Sequence, residues 1–349
     1  MGGNVMKKEN ITIYDIAKEA NVSPATVSRV LTGNAKVRPQ TMRKIVDVIE
    51  KYNFRPNSLA RSLLHKQSKT IGFILPDINH PFFSTLVQKC EAHALELGYT
   101  TFLCNTMNNS ANESKYLQSL VEKQVDGIIY LGGRINDTAT DQEYAEEMKS
   151  VMERIPVVFV NGQMAGVDAH VVKSDEESGI EKLVELLVNL KHKKIGFLGG
   201  LEGVSSTDVK KNAFFNAMKN KGLNVNEEWI FGTGFSIESG EEVASQLLYL
   251  KERPTAVICA NDLVAIGVIK VLTKFGLKVP DDVSITGFDD IYLAQHFPPG
   301  ITSVSQNYDQ LGQTAINVLI DLINEKEAEI ETVVPTSLVL RESCKLCSE

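Results

Sequence analysis

Along residues 12–52 the apolar positions recur at helical spacing in three short runs. Ile13, Ile16, Ala17 and Ala20 share one face behind Thr12, a good N-cap residue. Asn21-Val22 reads as a turn. Ser23-Pro24 then opens a second helix, with serine as cap and proline at the first helical position, where its missing N–H costs nothing. Val27, Val30 and Leu31 point one way, while Ala25, Thr26, Ser28 and Arg29 mostly point the other. A third run follows Arg38-Pro39 to about Tyr52 and turns Ile45, Val48 and Ile49 inward. Two short helices joined by a tight turn, with a third beneath them, predict a helix-turn-helix.

From Thr70 the pattern changes to alternating strands and helices. Apolar strands are expected at 70–75, 99–104, 127–131 and 157–160, with an amphipathic helix at 82–97 ended by Gly98. This order predicts α/β structure with parallel sheets. It then recurs: 195–198 echoes 71–74 at an offset of 124, 256–259 echoes 127–130 at 129, and 283–286 echoes 157–160 at 126. Near-constant offsets mean two similar Rossmann-like lobes. A strand at 301–304, a helix at 308–322 and a strand at 334–340 are expected to close the fold and cross back between lobes. The expected organisation is a leader (1–10), a helix-turn-helix head (11–56), a hinge (57–69) and a two-lobed body (70–349). Lobe 1 would take 70–170 and 306–331, and lobe 2 would take 171–305 and 332–343.

Charge divides along the same boundary. The whole chain is at −8, yet residues 7–69 hold 13 Lys/Arg against 5 Asp/Glu, a net of +8. The remainder holds 23 against 39, a net of −16. A basic head on an acidic body assigns any phosphate-facing surface to the N-terminus. No apolar run is long enough to span a bilayer, and no signal-peptide core precedes the head. Cys90, Cys104 and Cys259 lie in apolar stretches, and Cys344 and Cys347 form a lone CxxC without a nearby His. No metal or cofactor is therefore expected, and the reading suits a reducing cytoplasm. The chain lacks GxGxxG between strand and helix, GxxxxGK[ST], GxSxG and HExxH, which argues against an enzyme.

Two regions carry candidate chemistry. The outward face of the second helix offers small residues, hydroxyls and one arginine. Small side chains permit close approach to base edges, and Arg29 can fork onto guanine O6 and N7 or onto phosphates. In the body, polar groups follow the expected strand ends: Asp77, Asn161, Asn261-Asp262, Asp289-Asp290 and Gln306-Asn307. Open α/β sheets bind ligands beyond those ends. Carboxylates and amides there suit adjacent hydroxyls, and Phe82 and Phe235 suit the apolar face of a ring. Together they describe a sugar-like cleft between the lobes.

The segment ITIYDIAKEANVSPATVSRVLTGNAKVRPQTMRKIVDVIEKYNFRPNSLARSL resembles the N-terminus of the LacI/GalR family of bacterial transcription regulators. DIAKEANVS, ATVSRVL, the F-RPN junction and ARSL carry the match over the 53 contiguous residues 11–63. The resemblance implies that Ser23, Pro24, Ala25, Thr26, Ser28 and Arg29 face the major groove. It implies backbone contacts from Thr12 and Asn57. Residues 57–64 would form a conditional hinge helix entering the minor groove, with Ala60 on the DNA and Leu63 as the wedge. The body would have the two-lobed periplasmic-binding-protein architecture. Its effector contacts would be Asn161, Asn261, Asp289 and Gln306, with Phe235 as an aromatic wall; Asp77 and Phe82 join the candidate effector set from their placement alone, and Lys210 from its position in the family pattern. Lys210 departs from the family, which usually has Arg there, so the ligand could also carry a phosphate or carboxylate. The implied function is a homodimeric repressor of a carbohydrate operon on a palindromic operator, controlled by a sugar or sugar phosphate. The alternative is a catabolite-control regulator whose co-repressor is a phosphorylated carrier protein, although 291–295 lacks the Arg-rich stretch of such members. A sugar-binding protein or an enzyme ranks last.

Overall fold

The computed structural model of the chain describes residues 11–31, 37–52 and 67–347. Two compact units divide between Lys69 and Thr70. The head contains α1 (Ile13–Glu19), α2 (Pro24–Leu31) and α3 (Pro39–Tyr52). Thr12 and Asp15 cap α1 reciprocally. The Asp15 N–H donates to Thr12 Oγ1 at 3.4 Å, and the Thr12 N–H donates to the Asp15 carboxylate at 2.9 Å. The exchange satisfies donors that a helix start otherwise leaves without partners. Ser23 caps α2 by accepting from Thr26 N–H at 3.2 Å. Ile16, Ala17, Ala20, Val27 and Ile45 are buried together, with Val30, Leu31, Val48 and Ile49 packed around them.

The second unit opens with β1 (Thr70–Leu75), α4 (Pro81–Glu96), β2 (Thr100–Asn105), α5 (Ser110–Glu122) and β3 (Gly127–Leu131). A 3-10 turn (Gly133–Asn136), α6 (Gln142–Met152), β4 (Val157–Val160) and β5 (His170–Ser174) follow. Lobe 2 then runs through α7 (Glu176–Asn189), β6 (Ile195–Leu198), α8 (Ser205–Asn220), β7 (Ile230–Phe231) and α9 (Ile237–Leu248). It continues with β8 (Ala256–Cys259), α10 (Asp262–Lys274), β9 (Ser284–Thr286) and α11 (Tyr292–His296). The chain ends in β10 (Ser303–Ser305), α12 (Tyr308–Ile323), β11 (Glu331–Val334) and β12 (Ser337–Val339).

The lobe 1 sheet is parallel, in the order β11-β5-β4-β3-β1-β2. The lobe 2 sheet, also parallel, runs β7-β6-β8-β9. That order repeats β2-β1-β3-β4, so the internal repeat seen in the spacing is a repeat in space. The crossings differ from the sequence boundaries. β5 and β11 both stay in the first sheet, paired from Glu331 against Val171 to Val334 against Ser174. The chain therefore crosses after Ser174 and after Val334, a few residues later than 170 and 331. The strand expected at 334–340 is divided between the two lobes, into β11 and the β12 that pairs antiparallel with β10.

Three crossings, at 174–176, 305–308 and 334–337, lie side by side and are tied together. Asp175 N–H donates to the Val334 carbonyl at 2.8 Å, and Thr336 Oγ1 donates to the Asp175 carbonyl at 2.9 Å. Asn307 Nδ2 donates to the Pro335 carbonyl. After the second crossing α12 returns to lobe 1 and packs on α4. Gly312 permits this approach, since a β-carbon there would lie 3.1 Å from the Cys90 backbone nitrogen. Among the described residues no helix is long and apolar enough to cross a membrane.

Candidate functional site

In the head, Ala25, Ser28 and Arg29 occupy one side of α2, three and four residues apart, opposite the buried Val27. Ala25 and Arg29 are exposed, while Ser28, Pro24 and Thr26 are half-buried. Ser23 is committed to its cap and also meets the Thr26 hydroxyl at 2.9 Å. Thr12 is likewise engaged by Asp15, so any approach of either residue to a phosphate oxygen would be shared with a capping role. Asn57, Ala60 and Leu63 lie outside the described residues.

In the body the polar residues gather where the crossings meet the strand ends. Gln306, buried on the second crossing, joins both lobes. Its Oε1 accepts from Asn161 Nδ2 at 2.8 Å and from the Ser174 hydroxyl, while its Nε2 donates to Asp289 Oδ1 at 2.5 Å. Asn161 follows β4, and its Oδ1 accepts from Ser174 N–H at 2.8 Å. Asp289 follows β9 with a φ of 99°, held by its own N–H donating to the Val304 carbonyl at 2.9 Å. Burial pushes its carboxyl up to about 6, against the opposing pull of Lys210 and the Gln306 hydrogen bond.

Lys210, on α8, is buried next to this chain. Its ammonium meets Glu176 Oε1 at 3.1 Å and donates to the Ala260 carbonyl at 3.2 Å, 4.2 Å from the centroid of the Phe288 ring. Burial works against the charge, but Glu176 and Asp289 outweigh it and hold the ammonium above its ordinary value. Asn261 caps α10 through Val264 N–H at 2.9 Å, and its Nδ2 donates to the Phe235 carbonyl at 2.9 Å. The same Nδ2 lies 3.2 Å from His80 Nε2 on the opposite lobe. Burial, with a smaller contribution from Lys210, pushes His80 down to about 4 against the pull of Asp77, so the ring is neutral and Nε2 accepts. A second contact between lobes joins Thr138 N–H to the Gly203 carbonyl at 2.9 Å, beside a bridge between Asp137 and Val204. The lobes thus touch each other directly as well as through the crossings.

Not every candidate faces this chain of groups. Asp77 is a turn residue: its Oδ1 accepts from Asn79 N–H at 2.9 Å and from Asn79 Nδ2 at 3.1 Å. Phe82 belongs to the lobe 1 core, edge-on to Phe83 at 5.1 Å and tilted on Tyr308 at 5.8 Å. Phe235 is half-buried at the margin of a lobe 2 core. Asp262 is a buried strut that accepts from Ile291 N–H at 2.8 Å and the Ser303 hydroxyl at 2.6 Å, with its carboxyl well above the usual range through burial. Asp290 pairs with Arg341 at 2.6 Å. Ser174, Glu176 and His80 join the site although the sequence reading passed over them. Ser174 and Glu176 are recognisable only once the crossing is placed between β5 and α7. No group of residues suited to a metal ion occurs among the described residues.

Comparison with known proteins is consistent along nearly the whole chain. Residues 12–57 match the family described as bacterial regulatory proteins, lacI family, and residues 184–344 match a periplasmic binding protein-like domain. The chain is 32% identical to the HTH-type transcriptional repressor PurR of Mannheimia succiniciproducens, covering 96% of this chain and 98% of that protein. It is 35% identical to catabolite control protein A of Priestia megaterium, covering 96% and 100%. The structure of a Lac repressor dimer bound to operator and the anti-inducer ONPF superposes with a TM-score of 0.85 at 25% identity, covering 97% of this chain and 100% of that one.

Proposed function

The chain belongs to the lacI family of bacterial regulatory proteins and is a DNA-binding transcriptional repressor, and from that premise we propose that it silences a carbohydrate-utilisation operon under the control of a sugar-like effector. The observation that carries the reading is the chain Asn161–Gln306–Asp289, which joins the carboxyl ends of strands from both lobes through a crossing. Ser174, on another crossing, enters the same chain through its hydroxyl. A hydroxyl-rich ring bound there would change the lobe angle, because its partners stand on opposite sides of the hinge. The amide of Asn161 gives and accepts, and the Asp289 carboxylate accepts, a pairing suited to neighbouring hydroxyls.

The working form is a homodimer on a palindromic operator. The Lac repressor relative is a dimer on its operator. The edge strand β2 of this chain exposes Phe102 and Leu103, with Leu95 and Met107 exposed nearby, an apolar surface suited to a second copy. Identity to a catabolite control protein keeps a second reading, a phosphorylated carrier protein as co-repressor. The exposed Tyr292 and Leu293 of α11 offer such a phosphate no arginine.

Thermal shift of the full chain against a panel of sugars and sugar phosphates tests the effector reading, since a ligand that binds only the folded form raises the melting temperature with concentration. A saturable rise with a sugar, weakened in Asp289→Ala, supports it. A rise with none of them, together with capture of a phosphorylated carrier protein, would move control to the second reading.

A further inference from the structure

Lys210 brings positive charge into the cleft, and the structure gives that charge a resident partner. A lysine ammonium has three donor hydrogens and no acceptor. Glu176 Oε1 lies 3.1 Å from Nζ, the Ala260 carbonyl lies 3.2 Å away, and the Phe288 ring centroid is at 4.2 Å. A carboxylate, a carbonyl and the negative face of an aromatic ring therefore account for all three donors. Both side chains of the ion pair are almost fully buried, at 5% and 11% exposure. Water screens such a pair little, and breaking it would leave one buried charge uncompensated. The carboxylate of Asp289 is close enough to both members of the pair to act on them electrostatically, and Asp262 adds to its pull on Lys210.

We infer that Glu176 sets the charge class of the effector: by occupying Lys210 it makes the cleft refuse phosphate and carboxylate groups and accept an uncharged, hydroxyl-bearing ligand. The inference rests on the cleft being the effector site and narrows it. A phosphate entering the site would have to displace Glu176 from Lys210 and then face both Glu176 and Asp289 as like charges. An uncharged polyol meets no such conflict, because its hydroxyls can donate to Asp289 while the ion pair stays closed. Glu176 stands at the first position of α7, where the crossing at 174–176 ends. The same residue therefore belongs to the hinge and to the chemistry of selection.

The test uses inorganic phosphate as the probe and the full-length chain, with chloride at matched ionic strength as the control. Wild type should show no phosphate-specific rise in melting temperature up to tens of millimolar. Glu176→Gln keeps the shape and removes the charge, so it should gain a saturable phosphate-dependent rise. Adding Lys210→Met to that variant should abolish the gain. Glu176→Ser is the second variant if the amide disturbs folding, judged by near-ultraviolet circular dichroism. The inference is overturned if the folded Glu176 variants respond to phosphate as wild type does. It is also overturned if the gain survives Lys210→Met, or if wild type is itself saturably stabilised. A parallel arm with uncharged sugars on wild type and Asp289→Ala tests the cleft reading separately. Loss of that arm alone would overturn the effector assignment and with it the claim that Glu176 selects the effector, whereas failure of the phosphate arm alone would overturn only the claim about Glu176.

Discussion

Asp289 is a buried acid that must also be useful as an acceptor. Gln306 holds its Oδ1, and burial pushes the carboxyl up to about 6. Replacing it with Ala should lower effector affinity at least tenfold, the scale of losing one or two charge-assisted hydrogen bonds at about 1.5–3 kcal/mol each. Operator affinity without effector should stay within about twofold, measured by fluorescence anisotropy, because the head is untouched. Wild-type response to effector in Asp289→Ala would remove this residue from the site. The raised value also fixes a pH dependence. Hydroxyls donate to the ionised form, so effector affinity should fall as pH drops through about 6, checked by calorimetry between pH 5 and pH 8. For stability the sign is reversed. A carboxyl raised above its ordinary 3.8 contributes stability that is present in full below that value and lost as pH climbs through about 6. Asp289→Asn should therefore melt a few degrees above wild type at pH 8 and close to it at pH 4. The sequence revealed Asp289 because it directly follows an apolar run. It did not reveal Glu176, 34 positions before its partner Lys210, since no local pattern joins two residues brought together by the packing of α7 on α8.

At the scale of elements, the three head helices were readable because each carries local signals: helical spacing in all three, caps at Thr12 and Ser23, and proline at the first position of α2 and α3. Thr12 is the clearest case, and Thr12→Ala should cost the head about 1 kcal/mol. The head and body are separate compact units, so calorimetry of the full chain should show the head transition move down and the body transition stay. A shift in neither would mean the reciprocal cap contributes nothing. Arg29→Ala leaves the cap and core of α2 intact. It should cost about 1–3 kcal/mol on the specific operator and flatten base preference, whereas an equal loss on random DNA would reassign Arg29 to phosphate contact. Phe82 was offered for the apolar face of a ligand, and the structure places it in the lobe 1 core. Phe82, Leu86, Cys90 and Ala94 stand four apart along α4 and are all buried, so helical spacing itself assigned Phe82 to the core. β7 is two residues long and left no period to read. β5 was missed, and β11 was reached only at its last residue, because their meaning lies in pairing with one another across a separation of 160 residues.

The whole molecule joins a basic head to a two-lobed body whose lobes meet at the crossings and again at His80–Asn261 and Thr138–Gly203. Coupling of cleft to operator requires that effector and DNA favour different arrangements of this chain, and linkage makes their effects reciprocal. The most direct measurement is a fluorescence anisotropy titration of a palindromic duplex, selected from a random library by the full chain, with and without a saturating sugar identified by thermal shift. The account predicts tight binding to the palindrome by a dimer and a shift in affinity of at least fivefold with sugar. Asp289→Ala should bind the same duplex and show no shift. Equal affinity with and without a sugar that demonstrably occupies the wild-type cleft would contradict it.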